Sequence, residues 1–151
     1  MNVSQLCNRN VVTIRKSDAV VAAARLMREK HVGYLVVVEP DFNGATQLPV
    51  GVITDRDIVM TVVARDGNPH VLRVGDVMTP DPVAVALGDS VADAVREMRR
   101  IGVRRVPVVG SQGELAGVLS FDDILDTLSG ELQNLAGALV KERRVETALR
   151  R

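Results

Sequence analysis

Short runs of apolar residues alternate along this chain with stretches whose apolar positions recur every three or four residues. Residues 11–14, Val-Val-Thr-Ile, have the length and β-branching of a short strand. Ser17 or Asp18 then offers a helix cap, and Val20, Ala23, Ala24 and Met27 follow at spacings of 3, 4 and 7. That spacing predicts a helix with one buried face. Leu35 to Val38 is a continuous apolar run, short and β-branched, so it predicts a strand covered on both faces. The stretch Asp41–Leu48, with Asn43-Gly44, reads as a loop. Val50–Ile53 then forms the second strand of a hairpin, and a helix follows it at once.

The series then begins again. Asp18 to Val38 recurs 71 residues later as Asp89 to Val109, matching at Val20/Val91, Ala23/Ala94, Met27/Met98, Val32/Val103 and Val37/Val108. The match resumes at a spacing of 66, where Gly51-Val52-Ile53-Thr54-Asp55-Arg56-Asp57-Ile58 lies over Gly117-Val118-Leu119-Ser120-Phe121-Asp122-Asp123-Ile124. Five extra residues in the first loop, opposite the tight turn Gly110-Ser111-Gln112-Gly113, explain the change. The expected fold is α/β (α+β), two pseudo-twofold-related units of strand–helix–strand–strand–helix. Residues 1–67 make the first unit with its N-terminal segment, 68–82 a Gly- and Pro-bearing linker, and 83–129 the second unit. Residues 130–151 form a C-terminal helical extension with Leu132, Leu135, Ala136, Leu139 and Val140 as its stripe. Each unit of roughly 55 residues buries too little surface to be stable alone, so one joint body is expected.

Composition narrows the function. Lys plus Arg equals Asp plus Glu at 19 each, against a domain that holds nucleic acid by bulk charge. The basic end from Lys141 to Arg151, five basic and two acidic residues, is read as a solvated tail before a nucleic-acid contact. Phe42, Phe121 and Tyr34 are the whole aromatic complement, so base-stacking platforms lack material. Cys7 is the lone cysteine, which suits a reducing compartment. With no long apolar run and no charged-then-apolar leader, the expectation is a cytoplasmic protein without a membrane segment.

Catalytic motifs are lacking. His31, at a helix end, and His70, in the linker, have no cysteine at metal-ligand spacing, and no phosphate-loop lysine, dinucleotide glycine fingerprint or Gly-flanked serine occurs. A non-enzyme with no metal and no catalytic cofactor is expected. What remains is Thr54-x-x-Asp57 and Ser120-x-x-Asp123, each at a strand-to-helix junction. One reading is a capping box, with the hydroxyl and the acid exchanging hydrogen bonds with the first-turn backbone. The other is a ligand seat: free amides and a hydroxyl suit a phosphate, and a carboxylate can accept both hydroxyls of a ribose. Placement at equivalent positions in both copies favours the second.

These motifs, with Ala-x-x-x-Met in each first helix, Val-Val-Val or Val-Pro-Val-Val in each central strand and Asp76-Val77-Met78-Thr79-Pro80 before copy two, resemble those of a tandem pair of cystathionine-β-synthase-type (CBS) domains, a Bateman module. The resemblance covers about residues 1 to 129. It implies a disc-like pair with a cleft on each side of the interface, holding AMP, ADP, ATP, NAD or S-adenosylmethionine as a regulatory ligand. Carried onto this chain, one cleft uses Ser120 and Asp123 for phosphate and ribose, with Arg105 on phosphate charge and Pro107 beside it in the central strand. Cys7, Val12 and Val32 wall its base. The mirror cleft uses Thr54 and Asp57, with Met78, Val83 and Val103 around the base. There Tyr34 stands where the first cleft has Arg105, so phosphate should bind tighter in the Asp123 cleft unless Arg56 or Arg104 compensates. The resemblance further implies a homodimer and an unidentified regulated protein. The alternatives are a structural or interaction protein with empty clefts, and weak nucleic-acid binding through the basic end.

Overall fold

A computed structural model describes residues 1–149; Arg150 and Arg151, the last two charges of the basic end, lie outside the described residues. In the first unit, strand β1 (Thr13–Ile14) leads to helix α2 (Val20–Lys30), the hairpin β2 (Tyr34–Pro40) and β3 (Gln47–Thr54), and helix α3 (Asp55–Asp57). The second unit repeats this as β5 (Val85–Ala86), α5 (Val91–Ile101), β6 (Arg105–Val109), β7 (Leu115–Ser120) and α6 (Phe121–Leu149). In each, the first strand runs parallel to the central one and the hairpin is antiparallel. Helix α1 (Val3–Leu6) precedes the first unit, and α4 (Val74–Val77) with β4 (Thr79–Pro80) precedes the second. This is the α/β pair, with a C-terminal helix, that the repeat predicts.

The central run behaves as its composition requires: Leu35, Val36, Val37 and Val38 are all buried, as are Val106 and Val108. Val20, Ala23 and Met27 of α2 and Val91, Ala94 and Met98 of α5 pack onto their own sheets. The start of α2 differs from the expectation. Its cap is Ala19, without a side-chain bond, because Asp18 Oδ2 accepts from Arg15 N at 3.0 Å and closes the preceding turn instead. In α5, Ser90 caps in the ordinary way, its hydroxyl accepting from Asp93 N at 3.0 Å.

Each core is finished by a segment from outside its own unit. Val3, Leu6 and Cys7 pack among the apolar side chains of the second unit. Val74, Val77 and Met78 pack among those of the first. Matching backbone bonds fix the exchange: Val3 N donates to Asp89 O at 2.9 Å, and Val74 N to Asp18 O at 2.8 Å. The two units are therefore laced together at equivalent places.

The helices after the hairpins diverge. Beyond α3 the chain makes a π turn (Ile58–Val62) and a 3₁₀ turn (Val63–Arg65), and stops at Asp66 in the left-handed region. Helix α6 runs unbroken for 29 residues and passes through Gly130, where the sequence suggests a separate extension. A single glycine costs a helix only about 1 kcal/mol, and Leu, Glu, Gln and Ala around it favour continuation. The stripe does not fold back onto the core: Leu132, Leu135 and Leu139 are 67%, 64% and 60% exposed. Among the described residues, no helix is long and apolar enough to cross a membrane.

Candidate functional site

The two strand-to-helix junctions look alike in sequence and differ in hydrogen bonding. At Thr54 the box is closed on the backbone: Asp57 N donates to Thr54 Oγ1 at 3.1 Å, and Thr54 N donates to Asp57 Oδ2 at 2.9 Å. At Ser120, Asp123 N donates to Ser120 Oγ at 3.1 Å, but Asp123 Oδ2 accepts from the Ser120 hydroxyl, at 2.5 Å. A backbone amide cannot turn away from its acceptor, whereas a hydroxyl rotates. Asp57 is thus committed to its helix, while Asp123 is held by a donor that can be redirected.

Around Ser120 and Asp123 a cleft of about 340 Å³ opens between the units. The first unit supplies Val11, Val12 and the turn His31–Tyr34; the second supplies Arg105, Val118 and Asp122; Asn8 and Asn10 close one side. Asn8 is placed there by its exchange of backbone bonds with Val118, 2.9 Å each way. The volume lies at the lower end of small-molecule sites. Arg105 Nη2 is 3.9 Å from Asp122 Oδ2 and its guanidinium lies 6.0 Å from the Tyr34 ring centroid. Its side chain is 45% exposed, so it is loosely held and able to meet an incoming anion. Arg104 is engaged more closely, with Nη2 at 3.1 Å from Asp122 Oδ1.

The opposite side holds a smaller cavity, about 220 Å³, lined by Tyr34, Val52, Thr79, Asp81, Pro82, Val83, Ile101, Val103, Arg105, Val106 and Pro107. Thr54, Arg56 and Asp57 do not line it. Tyr34, like Arg105, lines both cavities. Its hydroxyl is buried and has no hydrogen-bond partner. Burial pushes the phenol well above its ordinary pKa, and Arg105 pulls it back only in part, so the ring stays neutral.

Of the residues singled out in the sequence, Val12, Val32, Tyr34, Arg105, Ser120 and Asp123 meet in the larger cleft. Val83, Val103 and Pro107 meet in the smaller one. Cys7 and Met78 line neither; they lie over Gly117 and Gly51, where the exchanged segments cross β7 and β3. Arg104 and Arg56 also stand outside both. The sequence reading passed over Asn8, Asn10 and His31 as cleft residues. His31 carried a signal: it ends α2 at φ 55°, where the equivalent position of α5 is Gly102. The sequence carries that difference as a histidine facing a glycine in the aligned copies. Among the described residues, no group of three His, Cys, Asp or Glu side chains converges as a metal site would require.

The laced pair of units, with a cleft between them, defines a class. The CBS-domain family model matches residues 3–64 and 74–130, and the chain belongs to that family. An uncharacterised protein of Methanopyrus kandleri is 33% identical over 125 residues, covering 83% of this chain and 61% of that protein. The chain thus spans about three fifths of that relative's length. A CBS-domain protein of Burkholderia ambifaria, described as a putative signal-transduction protein, superposes with a TM-score of 0.73 at 28% identity, over 85% of this chain and 93% of that one. A CBS-domain protein of Pyrobaculum aerophilum, solved in complex with AMP, does so with a TM-score of 0.71 at 29% identity, over 82% and 89%.

Proposed function

We propose that this chain is a non-catalytic regulatory module that takes one adenosine-containing ligand in the Asp123 cleft and reports its presence to a partner protein. The observation that carries this reading is the meeting of Ser120, Asp123 and Arg105 from one unit with Val12 and Val32 from the other. Asp123 accepts the ribose hydroxyls, while the Ser120 hydroxyl turns from Asp123 toward phosphate. Arg105, weakly paired, moves onto phosphate charge, and Arg104 keeps Asp122 neutralised so that its carboxylate does not repel the anion. Val12 and Val32 wall the base. AMP is the first candidate, because the Pyrobaculum relative was solved with it; ATP, NAD and S-adenosylmethionine share the same ribose and base. The smaller cavity stays without nucleotide, since neither Thr54 nor Asp57 lines it and Asp57 is bound to Thr54 N. A ligand that touches both units favours one mutual arrangement, and that differential affinity is what a partner would read. The module acts as a homodimer.

A second reading, of empty clefts with both boxes only capping helices, draws on the closed geometry at Thr54 and Asp57. Thermal shift and calorimetry with the four ligands decide between them. A ligand at 100 times its Kd stabilises the fold by about 2.7 kcal/mol. Asp123→Ala is expected to lower affinity at least about tenfold, as loss of charged hydrogen bonds does, with little change in the melting of the free protein. Asp57→Ala is expected to leave affinity unchanged and to cost about 1 kcal/mol of stability, through the stranded Thr54 amide. If no adenylate gives heat, or if Asp123→Ala changes stability alone, the capping reading stands.

A further inference from the structure

Among the described residues, α6 is a long element whose apolar face is left uncovered. Leu125, Leu128, Leu132, Leu135 and Leu139 stand at alternating spacings of three and four, and each is between 42% and 67% exposed. That is the seam of a two-stranded coil, and a helix this exposed draws most of its stability from packing it does not have within one chain. The charges say which partner fits. Residues 121–140 hold four acids (Asp122, Asp123, Asp126 and Glu131) and no base, whereas residues 141–149 hold Lys141, Arg143 and Arg144 against Glu142 and Glu146.

We infer that α6 pairs with α6 of a second copy, antiparallel, Leu132 of each copy facing Leu135 of the other and Leu128 facing Leu139. In that register Asp126 lies level with Lys141 of the other copy, and Arg143 comes within a turn of Asp122, so the acidic and basic ends neutralise each other. A parallel pair would instead stack Glu142 on Glu142 and Glu146 on Glu146 along the seam, placing like charges together. This deepens the reading of the chain as a self-associating module; its test measures mass and distance, and the ligand plays no part in it.

The full chain is run by sedimentation and by light scattering after gel filtration, beside L132D/L135D. The expected result is a dimer for the natural chain and half that mass for the variant, with a single cooperative thermal unfolding transition in the variant to show that the body is folded. Orientation is read from a spin label at Thr147→Cys in a Cys7→Ser background. The antiparallel register separates the two labels by about 40 Å, from 1.5 Å per residue over the offset, while a parallel pair holds them within roughly one to two helix diameters. A monomeric natural chain, a variant that stays dimeric, or a short label distance would each overturn the proposal.

Discussion

At the scale of single residues, Tyr34 sets the difference between the two sides of the molecule. Its counterpart under the repeat is Arg105, and the two face each other across the interface with the guanidinium near the ring. A phenol in that place fills space that a flexible arginine would leave open, at the expense of an unpartnered buried hydroxyl. Leaving such a group unpaired costs about 1–3 kcal/mol. Tyr34→Phe is therefore expected to raise stability, by roughly 1 kcal/mol, with the smaller cavity still closed; urea denaturation measures it. A loss of stability would mean that the hydroxyl has a partner in solution. The replacement of Arg105 by Tyr34 was visible in the aligned copies. Its consequence for packing was not, because a side chain's fill depends on what surrounds it.

At the scale of elements, the exchanged segments explain a feature of the sequence that the repeat displays without a reason. Gly51 and Gly117 open the two matching hydroxyl-and-acid motifs, and each lies where the segment from the other unit crosses. A Cβ on Gly117 would stand 2.9 Å from the backbone oxygen of Asn8 and 3.1 Å from Cys7 Sγ; one on Gly51 would collide with Met78. The first of these neighbours is backbone and cannot step aside. Gly117→Ala is expected to destabilise by about 1–3 kcal/mol, as overpacking does. Hydrogen exchange would show the loss in β7 and α1, and an unaltered exchange pattern there would count against the crossing. Helix positions, hairpins and buried runs were legible because they obey local periodicity. The exchange was not, since Val3 and Val74 read as ordinary apolar residues beside the units they precede. The unbroken course of α6 through Gly130 was hidden for a related reason: one glycine is a weak stop, and only the residues on both sides decide.

At the scale of the whole molecule, the exchange makes the two units one folding body. Residues 1–67 contain the first core but lack Val74 and Val77, which are buried in it. Residues 68–149 contain the second core but lack Val3, which is fully buried there. Removing one buried valine from its place forfeits about 1.5–3 kcal/mol of burial, and each half would also lose the backbone bonds that Val3 or Val74 donates. Halves of this size have little stability to spare. Expressed separately, the two fragments are expected to melt without a cooperative transition, and to regain one sharp transition when mixed. Calorimetry measures both states directly. Two independent transitions in the intact chain, or a cooperative melt of either fragment alone, would show that the lacing is not what holds the units together. It would also remove the rigid frame on which a cleft shared between them depends.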